Sequence, residues 1–154
     1  MKTDPAWLFA TWFGCGHFPK GPGTAGSLGA LLAAVPLVYA GLPPLGFILL
    51  SLVLLYPAIA ASGSVAIRSG LRDPQIVVVD EVLGQWIALA GASVLNWKSF
   101  LLAFALFRLF DILKPPPIRR LERIPGGAGI VLDDVLAGVY GAIVLAIVGR
   151  FGFY

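Results

Sequence analysis

The chain has 154 residues, 58% hydrophobic and only 12% charged, about half the roughly 25% charge that soluble domains carry. A small domain has too much surface to hide that much apolar side chain, so the composition points to a bilayer as the solvent, with a tightly packed soluble helical bundle as the lesser alternative. The net charge of +3 does not mark a nucleic-acid binder, because the basic residues flank apolar runs, as membrane proteins place them, and form no stripe with aromatics. The length fits one domain, 1–154. A single cysteine, Cys15, supports neither a disulfide framework nor a thiolate metal site. The Met1 to Pro5 start shows no signal-peptide pattern.

In chain order, apolar runs occupy 28–41, 45–67, 82–95, 100–113 and 135–148. They predict an all-α, compact multi-helix integral membrane bundle of about five apolar helices with polar, Gly/Pro-rich cytoplasmic loops. Only the second run reaches the roughly 20 residues of a span unaided; the others need their Gly, Ser and Trp flanks. Pro36 and Pro57 fall inside apolar runs, where proline removes a hydrogen bond and tends to kink a helix. Residues 42–44 and 95–98 read as tight turns between antiparallel helices.

Threading the runs as five crossings from an inner N-terminus sorts the charges. Lys2, Lys20, Arg68, Arg72, Arg108, Lys114, Arg119, Arg120 and Arg123 fall inside, and only Lys98 and Arg150 fall outside. That asymmetry orients the chain by the positive-inside rule. All eight acidic residues (Asp4, Asp73, Asp80, Glu81, Asp111, Glu122, Asp133 and Asp134) land on the same inner side, although acids follow no strong topology rule. A cytoplasmic active site explains their confinement.

Four polar segments frame that site. Residues 14–27 form a Gly-rich stretch before the first apolar run, suited to cradling an anion at a helix N-terminus. Lys20, Thr24 and Ser27 are its candidate phosphate contacts; its plainer use is an entry loop with Thr24 or Ser27 as an N-cap. It is not a Walker loop, since Gly26 is followed by Ser27 without the lysine. Residues 73–84 place Asp80 and Glu81 at a helix mouth, with Gly84 allowing close approach of backbone or substrate. Helix-dipole complementarity is the bland explanation of that pair. In 107–118, Arg108, Asp111 and Lys114 recur every third residue and lie near one helix face. They make either an ion pair with a snorkelling lysine or, as ionisable residues in a membrane helix suggest, a functional site. Residues 126–138 open the last helix with a second acidic pair, Asp133 and Asp134.

Carboxylates with one histidine and no thiolate cluster suit a hard cation such as Mg²⁺, and arginine and lysine suit phosphate oxygens. Together they indicate phosphoryl chemistry on an amphiphilic substrate. Cys15 lacks the arginine six residues on that a cysteine phosphatase requires, His17 lacks a second histidine, and no Asp-x-Asp pair exists. A metal-activated water is the main remaining route, with an aspartate nucleophile as the alternative.

The four segments together resemble the phosphatidylglycerophosphatase A family. The resemblance rests on Gly14-x-Gly16-x-x-Pro19-x-x-Pro22-Gly23-Thr24-x-Gly26-Ser27 and on Asp73-Pro74 with Val79-Asp80-Glu81-x-x-Gly84. It continues through Phe107-Arg108-x-Phe110-Asp111-x-x-Lys114-Pro115-x-Pro117-Ile118 and Gly129-Ile130 with Asp133-Asp134-x-x-Ala137-Gly138. It implies an all-helical fold and Mg²⁺-dependent hydrolysis of phosphatidylglycerol phosphate to phosphatidylglycerol and phosphate, in the bilayer of the bacterial inner membrane. Asp80, Asp111 and Asp134 are then the leading metal ligands, and Glu81 and Asp133 serve as ligand, outer partner or base. Arg108 and Lys114 hold phosphate, with Lys20, Thr24 and Ser27 around the Gly-rich loop; His17 takes no role. The alternative is a small cation transporter or channel using carboxylates at the cytoplasmic membrane face, which predicts acids spread through the membrane depth.

Overall fold

The computed structural model describes residues 4–154, so Lys2 and the rest of the Met1 to Thr3 start lie outside the described residues. The described chain is helical: α1 (Pro5–Ala10), a 3-10 turn (Cys15–His17), α2 (Pro22–Tyr39), α3 (Gly46–Ser69), α4 (Val79–Ala90), α5 (Trp97–Leu113), α6 (Ile118–Leu121) and α7 (Gly127–Arg150). The five expected apolar helices correspond to α2, α3, α4, α5 and α7. The short α1 and α6 were not expected.

Two helices begin more than a turn earlier than the apolar pattern suggests. The second helix starts at Pro22, after Gly21 at φ 71°, because proline is preset for the first helical position. Thr24 and Ser27 therefore lie inside α2 and cap nothing. Ser27 is buried, and its hydroxyl donates to the Gly23 carbonyl at 2.9 Å. The last helix starts at Gly127, where an added Cβ would sit 1.9 Å from the Ile59 carbonyl oxygen. The glycine-rich stretch is thus a helical turn pressed against α3. Pro36 and Pro57 lie inside α2 and α3, which continue unbroken through them, as neighbouring helices allow in membrane proteins. Asn96 caps α5, accepting from the amides of Lys98 at 2.9 Å and Ser99 at 3.0 Å.

The bundle is built around α4. Every residue of α4 except Glu81 is buried. Its 12 residues extend only about 18 Å at 1.5 Å per residue, well short of a hydrocarbon core of about 30 Å. The apolar character of α4 therefore serves packing against protein and does not by itself make a crossing. By contrast α2, α3 and α7, with 18, 24 and 24 residues, are long and apolar enough to cross a membrane. They are apolar all round, as membrane helices are, and expose Leu32, Leu49, Leu52, Val53, Ile143 and Ile147 outward.

Contacts set the helix directions. Gly84 and Gly91 of α4 meet Gly138 and Ala142 of α7 in the same order, so these helices run parallel. The indole of Trp86 donates to the Ala30 carbonyl of α2 at 2.9 Å, while Gly23 lies by Glu81, which makes α2 parallel as well. Helices α3 and α5 run the other way: in α3, Ser51 donates to the Leu83 carbonyl at 3.3 Å while Gly63 lies against Gly127, and in α5, Phe107 lies by Gly141 while Lys114 reaches Asp133. One end of the bundle thus collects the N-termini of α2, α4 and α7 with the C-termini of α3 and α5. The crossing of α4 and α7 tolerates no side chain. A Cβ on Gly138 would lie 2.3 Å from the Gly84 carbonyl oxygen, and one on Gly84 would lie 2.6 Å from that of Asp134. That closeness brings the acidic pairs of the two helices together.

Candidate active site

Where the three N-termini converge, Asp80 and Glu81 occupy the first turn of α4. Asp133 and Asp134 stand on the second turn of α7, because the helix begins at Gly127. Helix-dipole capping, which acts within the first turn, does not account for this second pair. Asp80, Asp133 and Asp134 are 7%, 4% and 4% exposed. From α5, Arg108 Nη1 binds Asp111 Oδ2 at 2.6 Å. Lys114 ends α5 at φ 44° and turns inward, with Nζ bonded to Asp133 and 3.7 Å from Asp111 Oδ1. It does not snorkel to headgroups. Burial alone would lower the pKa of Lys114, but the Asp133 hydrogen bond and the charges of Asp133, Asp134 and Asp111 carry it above its ordinary value. It stays a cation.

These groups surround a cavity of about 370 Å³, closed on the α2 side by Gly21, Pro22 and Gly23. Gly23 is needed here: a Cβ would meet Glu81 Oε1 at 2.3 Å and Arg108 Nη1 at 3.1 Å. Among the described residues, Asp73, Asp80, Glu81, Asp111, Asp133 and Asp134 line the space against only Arg108 and Lys114. Unpaired buried charge is expensive, so so many carboxylates call for a further cation. Oxygens of Asp80, Glu81 and Asp134 lie within 4.8 Å of one another. Glu81 Oε2 and Asp133 Oδ1 are buried without a hydrogen-bond partner among the described residues. An all-oxygen cluster with free lone pairs fits a hard divalent cation, and these residues can hold a metal.

Comparison with known proteins decides the family. The phosphatidylglycerophosphatase A family model matches residues 8–149. The phosphatidylglycerophosphatase A of Haemophilus influenzae is 41% identical over 92% of this chain and 87% of its own length. That of Escherichia coli K12 is 36% identical over 97% and 87%. The chain belongs to the phosphatidylglycerophosphatase A family. A Bacteroides thetaiotaomicron protein, provisionally named a phosphatidylinositol-3-phosphatase, is 40% identical over 91% of both chains. No solved structure matches the chain significantly.

As a phosphatidylglycerophosphatase A family member the chain is a phosphatase enzyme, and its motif residues gather unevenly. Asp80, Glu81, Arg108, Asp111, Lys114, Asp133 and Asp134 all line the one cavity. Within it, Asp80, Glu81 and Asp134 form the tightest carboxylate cluster, while Asp111 is paired with Arg108 and Lys114. The Gly-rich loop contributes differently from its expected side chains. Lys20 and Thr24 are exposed, Ser27 is buried on Gly23, and none of the three lines the cavity. The loop's wall is the chain at 21–23. Sequence reasoning gave no role to Asp73 or Gln75, which also line the space. The Asp73-Pro74 motif was the available signal.

Proposed function

We propose that this phosphatase domain, residues 1–154, hydrolyses phosphatidylglycerol phosphate to phosphatidylglycerol and inorganic phosphate, with Mg²⁺, at the cytoplasmic face of the bacterial inner membrane. The observation that carries the proposal is the all-oxygen carboxylate nest beside Arg108 and Lys114, next to the N-termini of α2 and α4, which favour an anion. Asp80, Glu81 and Asp134 would hold the ion. When bound, Mg²⁺ neutralises phosphoryl charge and raises the reactivity of water. The chain's own groups do the rest. Arg108 and Lys114, both cationic, orient the phosphomonoester oxygens. Asp133, held through one oxygen by Lys114, offers its free Oδ1 to the proton of the attacking water. The new bond joins water oxygen to phosphorus, the phosphorus–glycerol oxygen bond breaks, and the proton taken up by Asp133 passes, directly or through solvent, to the leaving alkoxide, which becomes the alcohol. Confinement of the acids to one end of the bundle supports this over a cation channel. The cationic loops at that end support a cytoplasmic orientation.

The Bacteroides relative supports a second substrate, phosphatidylinositol 3-phosphate. Like phosphatidylglycerol phosphate, it carries a phosphomonoester beyond a phosphodiester. Phosphate release by the detergent-purified protein, measured on both lipids and on lysophosphatidic acid, discriminates them. The expected result is fastest release from phosphatidylglycerol phosphate. Preference for the inositol lipid would move the assignment to the second substrate, and no release from any lipid would overturn the proposal.

A further inference from the structure

A second cavity, of about 270 Å³, adjoins the acidic one and is lined by Arg72, Arg119 and Arg123 with Glu122. Asp73, Ile130 and Asp133 line both cavities, so the two spaces share a wall. Among the described residues, none of the three arginines forms an ion pair. Arg72 is braced instead, its Nη2 donating to the carbonyls of Arg123 at 3.0 Å and Glu122 at 3.3 Å. Arg119 reaches only the Leu113 carbonyl, at 3.3 Å. Three guanidinium groups around a cavity, with donors left over, suit an anion with several acceptor oxygens. On its far side this cavity shares Arg72 and Gly126 with an apolar groove of Ala66, Ile67, Leu71 and Pro125. Ile67 and Leu71 are exposed there.

The three spaces therefore follow one another as carboxylate nest, arginine pocket and apolar groove. That is the order of groups along a lipid with a phosphomonoester beyond a phosphodiester: terminal phosphate, diester, acyl chains. We propose that Arg119 and Arg123, with Arg72 as their brace, form a phosphodiester subsite that aligns the lipid so its terminal phosphate enters the acidic cavity. The proposal rests on the lipid phosphatase function given above and adds the feature that separates two-phosphate headgroups from simple phosphomonoesters.

The test uses full-length protein in detergent, with short-chain phosphatidylglycerol phosphate as substrate. Short-chain phosphatidylglycerol, which keeps the diester and lacks the monoester, is the binding probe, in EDTA. In Arg119→Gln and Arg123→Gln, the loss of a charge-assisted bond should raise KM about tenfold and weaken phosphatidylglycerol binding by a similar factor. kcat should stay within about threefold, since the diester contact is made equally in ground and transition states. Arg120→Gln, an exposed neighbour outside the cavity, should change neither, and Arg123→Lys should recover part of the binding. Unchanged phosphatidylglycerol affinity in both glutamine variants, or a fall in kcat with KM unmoved, would overturn the subsite. So would displacement of bound phosphatidylglycerol by equimolar inorganic phosphate, the mark of a generic anion pocket. Failure of the wild type to release phosphate would instead defeat the phosphatase substrate assignment, while the binding arm still decides the subsite.

Discussion

Lys114 carries more of the site than a peripheral lysine would. It closes α5 in a left-handed conformation and binds Asp133 on α7, so one side chain both ends a helix and ties two helices together. Its removal strands a buried carboxylate whose other oxygen already lacks a partner. Losing one member of such a pair costs about 3 kcal/mol. Lys114→Met should therefore unfold at clearly lower denaturant concentration than wild type in metal-free detergent, while losing activity. Equal midpoints would mean that Lys114 contributes only to substrate binding. The residue types of the site were readable in the sequence, since charges inside apolar helices have few other uses. Their partners were readable only in part. Arg108 with Asp111 follows helical spacing, but Lys114 with Asp133 depends on how α5 packs on α7, which no local pattern encodes.

At the scale of the elements, the apolar runs located the five main helices, but not two of their starts. Glycine and proline read locally as loop formers, yet Pro22 is the first residue of α2 and Gly127 that of α7. Packing overrode propensity, because the glycines admit a neighbouring backbone. Gly84 was expected to allow close approach, and it does, to α7. Gly84→Ala should push α4 from α7, since its Cβ would meet Phe107 at 2.4 Å and the Asp134 carbonyl oxygen at 2.6 Å. Overpacking of this kind costs about 1–3 kcal/mol, and the displaced Asp80 and Asp134 should raise the Mg²⁺ concentration that activity requires as well as lower stability. An alanine variant with wild-type melting and activity would show that the crossing relaxes freely.

For the whole molecule, charge distribution and helix direction agree: the acidic cavity, the arginine pocket and most cations share one end, and Lys98 and Arg150 lie toward the other. Composition foretold a membrane bundle, though not that α4 would be a short, enclosed helix at its centre. In a Cys15→Ser background, Lys98→Cys should react with an impermeant maleimide in intact cells, and Arg120→Cys only after the membrane is opened. The reverse pattern would invert the proposed orientation. The proposed role of Asp80, Glu81 and Asp134 is to hold the ion on which phosphate release depends. It is tested most directly by titrating Mg²⁺ into EDTA-treated wild type, Asp80→Asn and Asp134→Asn while measuring phosphate release from phosphatidylglycerol phosphate. Wild type should be silent without metal and saturate with it. Each variant should lose at least about 100-fold, more than an outer partner's loss costs a metal site, and require more Mg²⁺. Release from wild type that persists in EDTA, or variants matching wild type at saturating Mg²⁺, would contradict the claim.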